Sequence, residues 1–167
     1  MAVTNDTNAT VAAIAITSAD GNTDGAFCSS ALVDNQINLY LDALVGGSIQ
    51  VGTVTADGVI NVYVVGSWDG TDFTAGVDVG DSDITWGTSG KTHVNGQDDL
   101  KLLDSVSVDS TDDDNDILFG PYAIAQAFGG EMPREWAIVI ENATGAAFNA
   151  TGTNNHLEYT GKTKTTA

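Results

Sequence analysis

Short runs of β-forming residues, cut at regular intervals by glycine-bearing turns, occupy nearly the whole chain. That rhythm leaves few architectures open. The turns are Asp20-Gly21-Asn22, Asp24-Gly25, Gly46-Gly47, Asp57-Gly58, Asp69-Gly70, Gly129-Gly130 and Asn142 to Gly145. Glycine there supplies the positive φ of tight hairpins, and Asp or Asn bonds back to its own backbone. The most strongly β-forming run is Val59 to Ser67, with Val59, Ile60, Val62, Tyr63, Val64 and Val65. Its near-continuity predicts burial on both faces, or a central place in a sheet.

The other runs follow the period of two. Ile37, Leu39 and Leu41 alternate with Asn38, Tyr40 and Asp42, which predicts a half-buried strand from Ile37 to Val45, broken at Gly46-Gly47. Val11 to Thr17, Ser48 to Thr55, Phe73 to Val79, Ile84 to Trp86, Trp136 to Glu141, Ala147 to Thr151 and His156 to Thr163 read as further strands. Leu100 to Val108 is another, with Leu102, Val106 and Val108 expected inside. Gly87 to Asp99 is a polar loop and Asp112 to Asp116 an acidic loop tip. Tyr122 to Phe128 has room for two helical turns between Gly120-Pro121 and Gly129-Gly130. No βαβ alternation is present. Short strands at spacings of about 8–12 residues point to an all-β, antiparallel, jelly-roll-like β-sandwich with at most one short helix. The expected division is a flexible N-terminal arm at 1–10, a sandwich domain at 11–161 and a C-terminal tail at 162–167.

Charge narrows the partners. Lys+Arg number 5 against Asp+Glu 23, a formal charge of −18, and the first cation is Lys91. So negative a surface repels a phosphate backbone or an anionic membrane, so neither nucleic acid nor membrane is an expected partner. The charged fraction is only 17% against a norm of about 25%, and the 42% hydrophobic content is ordinary for a folded chain. No apolar run approaches the roughly 18 residues of a membrane helix. Met1 to Asp20 has no basic n-region, so a soluble protein made in a cytoplasm is expected. Cys28 is the one cysteine, which rules out an intrachain disulfide, and Ala26-Phe27-Cys28 reads as core.

Several motifs imitate chemistry. Gly87-Thr88-Ser89-Gly90-Lys91-Thr92 resembles the end of a phosphate-binding loop, but Thr85 stands where a glycine is needed and His93-Val94-Asn95-Gly96 follows where a helix should start. Asp20 to Gly25 matches the first half of a calcium loop, but its twelfth position is Ala31 rather than glutamate. Asp78, Asp81, Asp83 and the run Asp112, Asp113, Asp114, Asp116 read as solvated loop charges rather than a specific metal site. His93 and His156 lie in separate polar stretches, and no serine or cysteine has a nucleophile-elbow context. Asn5, Asn8, Asn142 and Asn149 each begin a glycosylation sequon, incidental in a threonine-rich chain. Trp68 and Trp86 are candidates for stacking on a sugar, with packing the plainer reading of Trp68. No catalytic, cofactor-binding or metal residue is expected.

Two segments carry a resemblance. One is Tyr63-Val64-Val65-Gly66-Ser67-Trp68-Asp69-Gly70-Thr71-Asp72-Phe73; the other runs from Ala127-Phe128-Gly129-Gly130-Glu131-Met132-Pro133-Arg134-Glu135-Trp136 to Phe148. Together they resemble small β-rich virion structural proteins of tailed bacteriophages, among them capsid decoration or cement proteins. The resemblance implies a non-enzymatic β-sandwich, a homotrimer on the outer surface of the head, with the major capsid protein as partner and no cofactor. The expected location is the virion, after synthesis in the host cytoplasm. A tail, neck or fibre component is the alternative within the particle, and a carbohydrate-binding module using Trp68 or Trp86 the alternative outside it. Lys162 and Lys164 are the expected electrostatic partners for an acidic neighbour, and the Met1 to Thr10 arm is the other expected tether.

Overall fold

The run from Val59 to Ser67 lies at the heart of one of two antiparallel sheets. The structure is a computed structural model that describes residues 4–70, 73, 79–84, 100–151 and 153–166. Its strands are β1 (Thr4–Asn8), β2 (Ala12–Ile14), β3 (Phe27–Ser29), β4 (Val33–Asp34), β5 (Asp42–Gln50), β6 (Gly58–Ser67), β7 (Lys101–Val108), β8 (Asp116–Ala123), β9 (Glu135–Ala143) and β10 (His156–Thr166). One helix, α1 (Ile124–Ala127), and a 3-10 turn at Thr17–Ala19 complete the described elements. One sheet has the order β3-β9-β6-β7, with β4 also on β9; the other has the order β1-β10-β5-β8, with β2 also on β10. The two pack face to face as an all-β sandwich.

Between the sheets, Ile60, Val62 and Val64 of β6 and Trp136, Ile138 and Ile140 of β9 meet Val45, Ile49, Phe119 and Leu157 from the other sheet. Each such side chain, fully buried, contributes about 1.5–3 kcal/mol. The opposite face of β6 and β9 is covered as well: Val65, Ala137 and Val139 pack with Phe27, Ile84 and Leu100. Burial on both faces explains the near-continuous apolar run in β6. Cys28 is fully buried, and burial, then the nearby negative Asp83, pushes its thiol up to about 12.

Several boundaries differ from the sequence reading. Gly46-Gly47 does not break β5, which passes through it with a register shift. A Cβ on Gly47 would sit 2.2 Å from the His156 carbonyl oxygen, so glycine there permits close strand approach. Leu102, expected inside, is 57% exposed. Val62 pairs with Asp104 and Tyr63 with Leu102, so Leu103 is an extra bulged residue that turns inward in place of Leu102. The expected strand at Ala147 to Thr151 reduces to a single bridge, Phe148 to Val51. Val11 to Thr17 shortens to Ala12–Ile14, and Tyr122 to Phe128 holds one helical turn rather than two. Phe73 to Val79 and Ile84 to Trp86 lie largely outside the described residues.

The expected arm and tail pair with each other. β1 runs antiparallel to the end of β10, from Thr4 opposite Thr166 to Asn8 opposite Lys162. The Thr7 and Thr163 hydroxyls meet at 2.9 Å. β2 continues along the same edge, from Ala12 opposite Tyr159, so four steps on one strand face three on the other and a bulge absorbs the difference. The polarity of these segments marks a solvent-exposed edge, and their β-branched threonines suit a strand.

Candidate functional site

The connections between successive long strands alternate between opposite ends of the sandwich, and the two ends differ chemically. One end gathers residues 34–41 between β4 and β5, the start of the connection after β6, residues 124–134 between β8 and β9, and the paired outer halves of β1 and β10. The other gathers residues 20–25, 51–57, 109–115 and 144–155.

The first end is where the expected strand from Ile37 fails. Residues 36–41 form a loop, and β5 begins only at Asp42. Ile37 is 85% exposed, Leu39 72% and Leu41 50%. The loop is held by its own hydrogen bonds. The buried Asn35 accepts from the Tyr40 N–H at 2.8 Å and donates to the Tyr40 carbonyl at 3.1 Å. The Leu39 N–H donates to the Asn35 carbonyl, and the Gln36 N–H to the Asp34 carboxylate at 2.7 Å. Leu39 takes φ 51°, a left-handed conformation that costs a branched side chain energy. The Leu41 N–H donates to the Lys162 carbonyl, which ties the loop to β10.

Beside this loop lies an open cleft of about 500 Å³, lined by Gln36, Leu39, Trp68, Met132, Pro133 and Arg134. Trp68 is half exposed and meets Phe128 edge to face, with ring centres 6.1 Å apart. Packing is thus the role of Trp136, which is fully buried, while Trp68 keeps an open side. Gly66 makes room for this wall, since a Cβ there would lie 2.8 Å from Phe128 and 2.9 Å from Pro133. Arg134 donates to the Gln36 amide oxygen, and Gln36 donates onward to Glu135.

Charge separates along the same axis. Lys101 (opposite Val64), Arg134, Lys162 and Lys164 all lie in the half toward this end, and Lys91 lies outside the described residues. Asp34, Asp42, Asp69, Glu131 and Glu135 share that half, so the described carboxylates there outnumber the described cations. Asp42 lies 3.9 Å from Lys162. The far end carries Asp20, Asp24, Asp57, Asp109, Asp112, Asp113, Asp114 and Asp116, with no described lysine or arginine among them.

The far-end carboxylates serve their loops. Asp20 accepts from Asn155 at 2.8 Å and Asp24 from the Gly145 N–H at 2.9 Å, so the segment resembling a calcium loop is two successive turns braced across the end. Asp109 accepts from the Thr111 hydroxyl and N–H, which lower its carboxyl below the usual range. Asp81 accepts from Thr17 and the Ser18 N–H. Among the described residues no group of three or more His, Cys, Asp or Glu side chains converges as a metal site. His156 contacts the Ser48 hydroxyl at 3.0 Å, but Ser48 is buried and offers no access to a substrate. Asn142 is buried and bracketed by Asn22, Thr144 and Ala146, so its sequon is not a surface acceptor. The phosphate-loop mimic at Gly87 to Thr92, His93, Trp86 and Asp78 lie outside the described residues.

Sequence reasoning assigned Ile37, Leu39 and Leu41 to a core face and overlooked Met132, Pro133 and Arg134 as a wall. The missed signal was Asp34-Asn35-Gln36-Ile37-Asn38, a cluster of turn-forming side chains at the start of the supposed strand. No helix among the described residues is long and apolar enough to cross a membrane. Comparison with known protein families, curated proteins and solved structures finds no match to this chain.

Proposed function

We propose that this chain is a non-enzymatic structural subunit of a virus particle, a capsid decoration protein seated as a homotrimer on the outer surface of a tailed-phage head. The major capsid protein is its partner in this reading. The observation that carries it is the two-ended surface: Ile37, Leu39, Leu41 and Trp68 exposed at one end, where the described cations lie among carboxylates, and eight aspartates with no described cation at the other. A subunit that covers a shell needs one end that grips protein and one that stays hydrated. Exposed apolar groups beside Arg and Trp suit the first task, and clustered aspartates suit the second. The β-sandwich and the resemblance of the Tyr63 to Phe73 and Ala127 to Phe148 segments agree with this role. A tail, neck or fibre position calls on the same surface at lower copy number.

The test is stoichiometry in purified virions. Quantitative mass spectrometry is expected to find this chain at a copy number comparable with that of the major capsid protein. A few copies per particle places it in the tail or neck, and absence from the particle overturns the reading. Trp68 in its cleft favours a second reading, a carbohydrate-binding module, because a half-exposed indole beside Arg134 and Gln36 is a stacking surface with polar neighbours. Glycan-array binding that disappears in Trp68→Ala supports that module.

A further inference from the structure

The sheet of β1, β10, β5 and β8 buries one face against its partner sheet and leaves Leu118 75% exposed and Val11 56% exposed on the other. A groove of about 490 Å³ crosses that outer face, from Asn8 and Val11 over β10 and β5 to Leu118 and Pro121. We infer that this groove is a docking site for a basic side chain, lysine or arginine, of a partner protein. The groove lies on the flank of the sandwich, and the inference does not depend on the capsid reading above.

Strand alternation builds the groove. Val45, Phe119 and Leu157 point into the core, so Leu44, Leu118, His156, Glu158 and Thr160 point out. Gly46 stands opposite Glu158 without a side chain, so the floor is lowest there. A Cβ on Gly46 would press to 3.1 Å on the Phe119 carbonyl oxygen, so the close approach of β8 requires the glycine that hollows the face. Leu44, Leu118, Pro121 and Val11 supply apolar walls, and Glu158 stands among them. Its cross-strand neighbours, Ala13 and Gly46, have no group to bond it, and it makes no hydrogen bond or ion pair with a described residue. An apolar channel with one free carboxylate matches a side chain that is aliphatic along its stem and cationic at its tip.

The charge balance on this face points the same way. No described lysine or arginine lines the groove. Lys162 lies along β10 from Glu158 by about 13 Å at the rise of a strand, and it is already paired with Asp42 at 3.9 Å. Lys164 is farther along, opposite Asp6. Both separations exceed the Debye length of about 8 Å, so neither cation neutralises Glu158. Asp116 precedes Leu118 on the same side of β8 and adds a second carboxylate beyond the rim. The formal charge of −18 draws a basic partner and repels a second copy of this chain. The same partner would cover Leu118 and Val11, whose burial adds to the attraction.

The test is site-specific photo-cross-linking in the cells that make the protein, with benzoyl-phenylalanine placed at Leu118 in one version and at Asp113 in another. The expected result is a cross-link from position 118, and not from 113, to one partner protein at a peptide that contains lysine or arginine. Glu158→Gln, close in shape and uncharged, is expected to reduce the yield about three- to fivefold, the upper range for an exposed ion pair. Glu158→Lys sets like charges together and is expected to reduce it at least about tenfold. Replacing the partner's basic residue with glutamate is expected to restore the yield of Glu158→Lys. Thermal melts verify that both variants remain folded, as expected for a side chain with no bonds to lose. No cross-link from 118, equal cross-linking from both positions, a cross-link into a second copy of this chain, or a peptide without a basic residue overturns the docking site. A yield within about twofold of wild type in Glu158→Lys overturns the role of Glu158. The capsid reading fails separately: a partner that belongs to no virus particle overturns it and leaves the groove standing.

Discussion

Replacing Leu39 with asparagine is expected to stabilise the free protein, the reverse of what truncating a leucine ordinarily does. Leu39 sits at φ 51° and is 72% exposed. The left-handed conformation costs an ordinary L-residue about 1–2 kcal/mol, and asparagine is among the few side chains that tolerate it. Against that gain stands the lost contact. A fully buried leucine contributes about 1.5–3 kcal/mol, and roughly a quarter of the side chain is covered, so the loss is about 0.5 kcal/mol. The balance favours Leu39→Asn by about 0.5–1.5 kcal/mol, a rise in Tm of about 1–6 °C for a chain of this size. Leu39→Ala keeps the strain and loses the contact, so it is expected to be less stable than wild type by about 0.5 kcal/mol. Urea denaturation with matched m values measures both variants, and their difference isolates the backbone contribution. An Asn variant less stable than the Ala variant would refute the reasoning, because the strain would then be absent.

Three further outcomes follow from other parts of the molecule. Asn142 donates to the carbonyls of Asn22 and Ala146 at 2.8 Å each and accepts from the Thr144 N–H and hydroxyl, so Asn142→Ala is expected to cost about 3–4 kcal/mol at roughly 1 kcal/mol per bond; a loss under 1 kcal/mol in urea melts contradicts the bracket. Burial first, then the neighbouring Glu141, pushes the Tyr63 phenol up to about 12, and Tyr122 and Tyr159 are also raised, chiefly by burial. The unfolded chain therefore releases these protons first, near pH 10, so stability is expected to hold below about pH 10 and fall between about pH 10 and 12, with a shallower fall in Tyr63→Phe; stability that rises across that window reverses the sign. With a formal charge of −18, thermal melts are expected to shift upward from low to molar sodium chloride, and a flat profile shows that self-repulsion is not a significant term.

What the sequence made legible was the part governed by local pattern. The β6 run announced its double burial because Ile60, Val62 and Val64 face one way while Tyr63 and Val65 face the other, and both sides are covered. Glycine turns marked both ends of β6 and the end of β9. Errors arose where one residue changes phase. Leu103 bulges out of register and exchanges places with Leu102, and Gly120-Pro121 of β8, two residues opposite Gly46 alone, shift the β5–β8 register without ending β5. Period-two arguments cannot detect a bulge, because every residue beyond it reverses face. The terminal strands were hidden for another reason. Their stability comes from pairing across the length of the chain, Thr4 with Thr166, and local polarity carries no trace of that partner.

The loop at Gln36 to Leu41 shows why the candidate site was the least legible part. A surface that must bind apolar groups carries the same residues as a core strand, and composition cannot separate the two. What separates them is Asn35, whose side chain takes both backbone groups of Tyr40 and so prevents the strand from starting before Asp42. The charge axis was concealed likewise. Residue counts yield a net charge of −18, but the crossing of the chain between the two sheets decides that Asp20, Asp57 and Asp113 reach one end while Arg134, Lys162 and Lys164 reach the other. Pairing the termini completes the arrangement. Without β1 along its edge, the last four residues of β10 would extend beyond the end of β5 with no strand beside them among the described residues, and Lys164 would have no fixed position. The β1–β10 pairing thus holds Lys164 on the same side as the apolar loop. It joins the segments that looked like a loose arm and tail to the strand that holds the exposed apolar loop at Leu41.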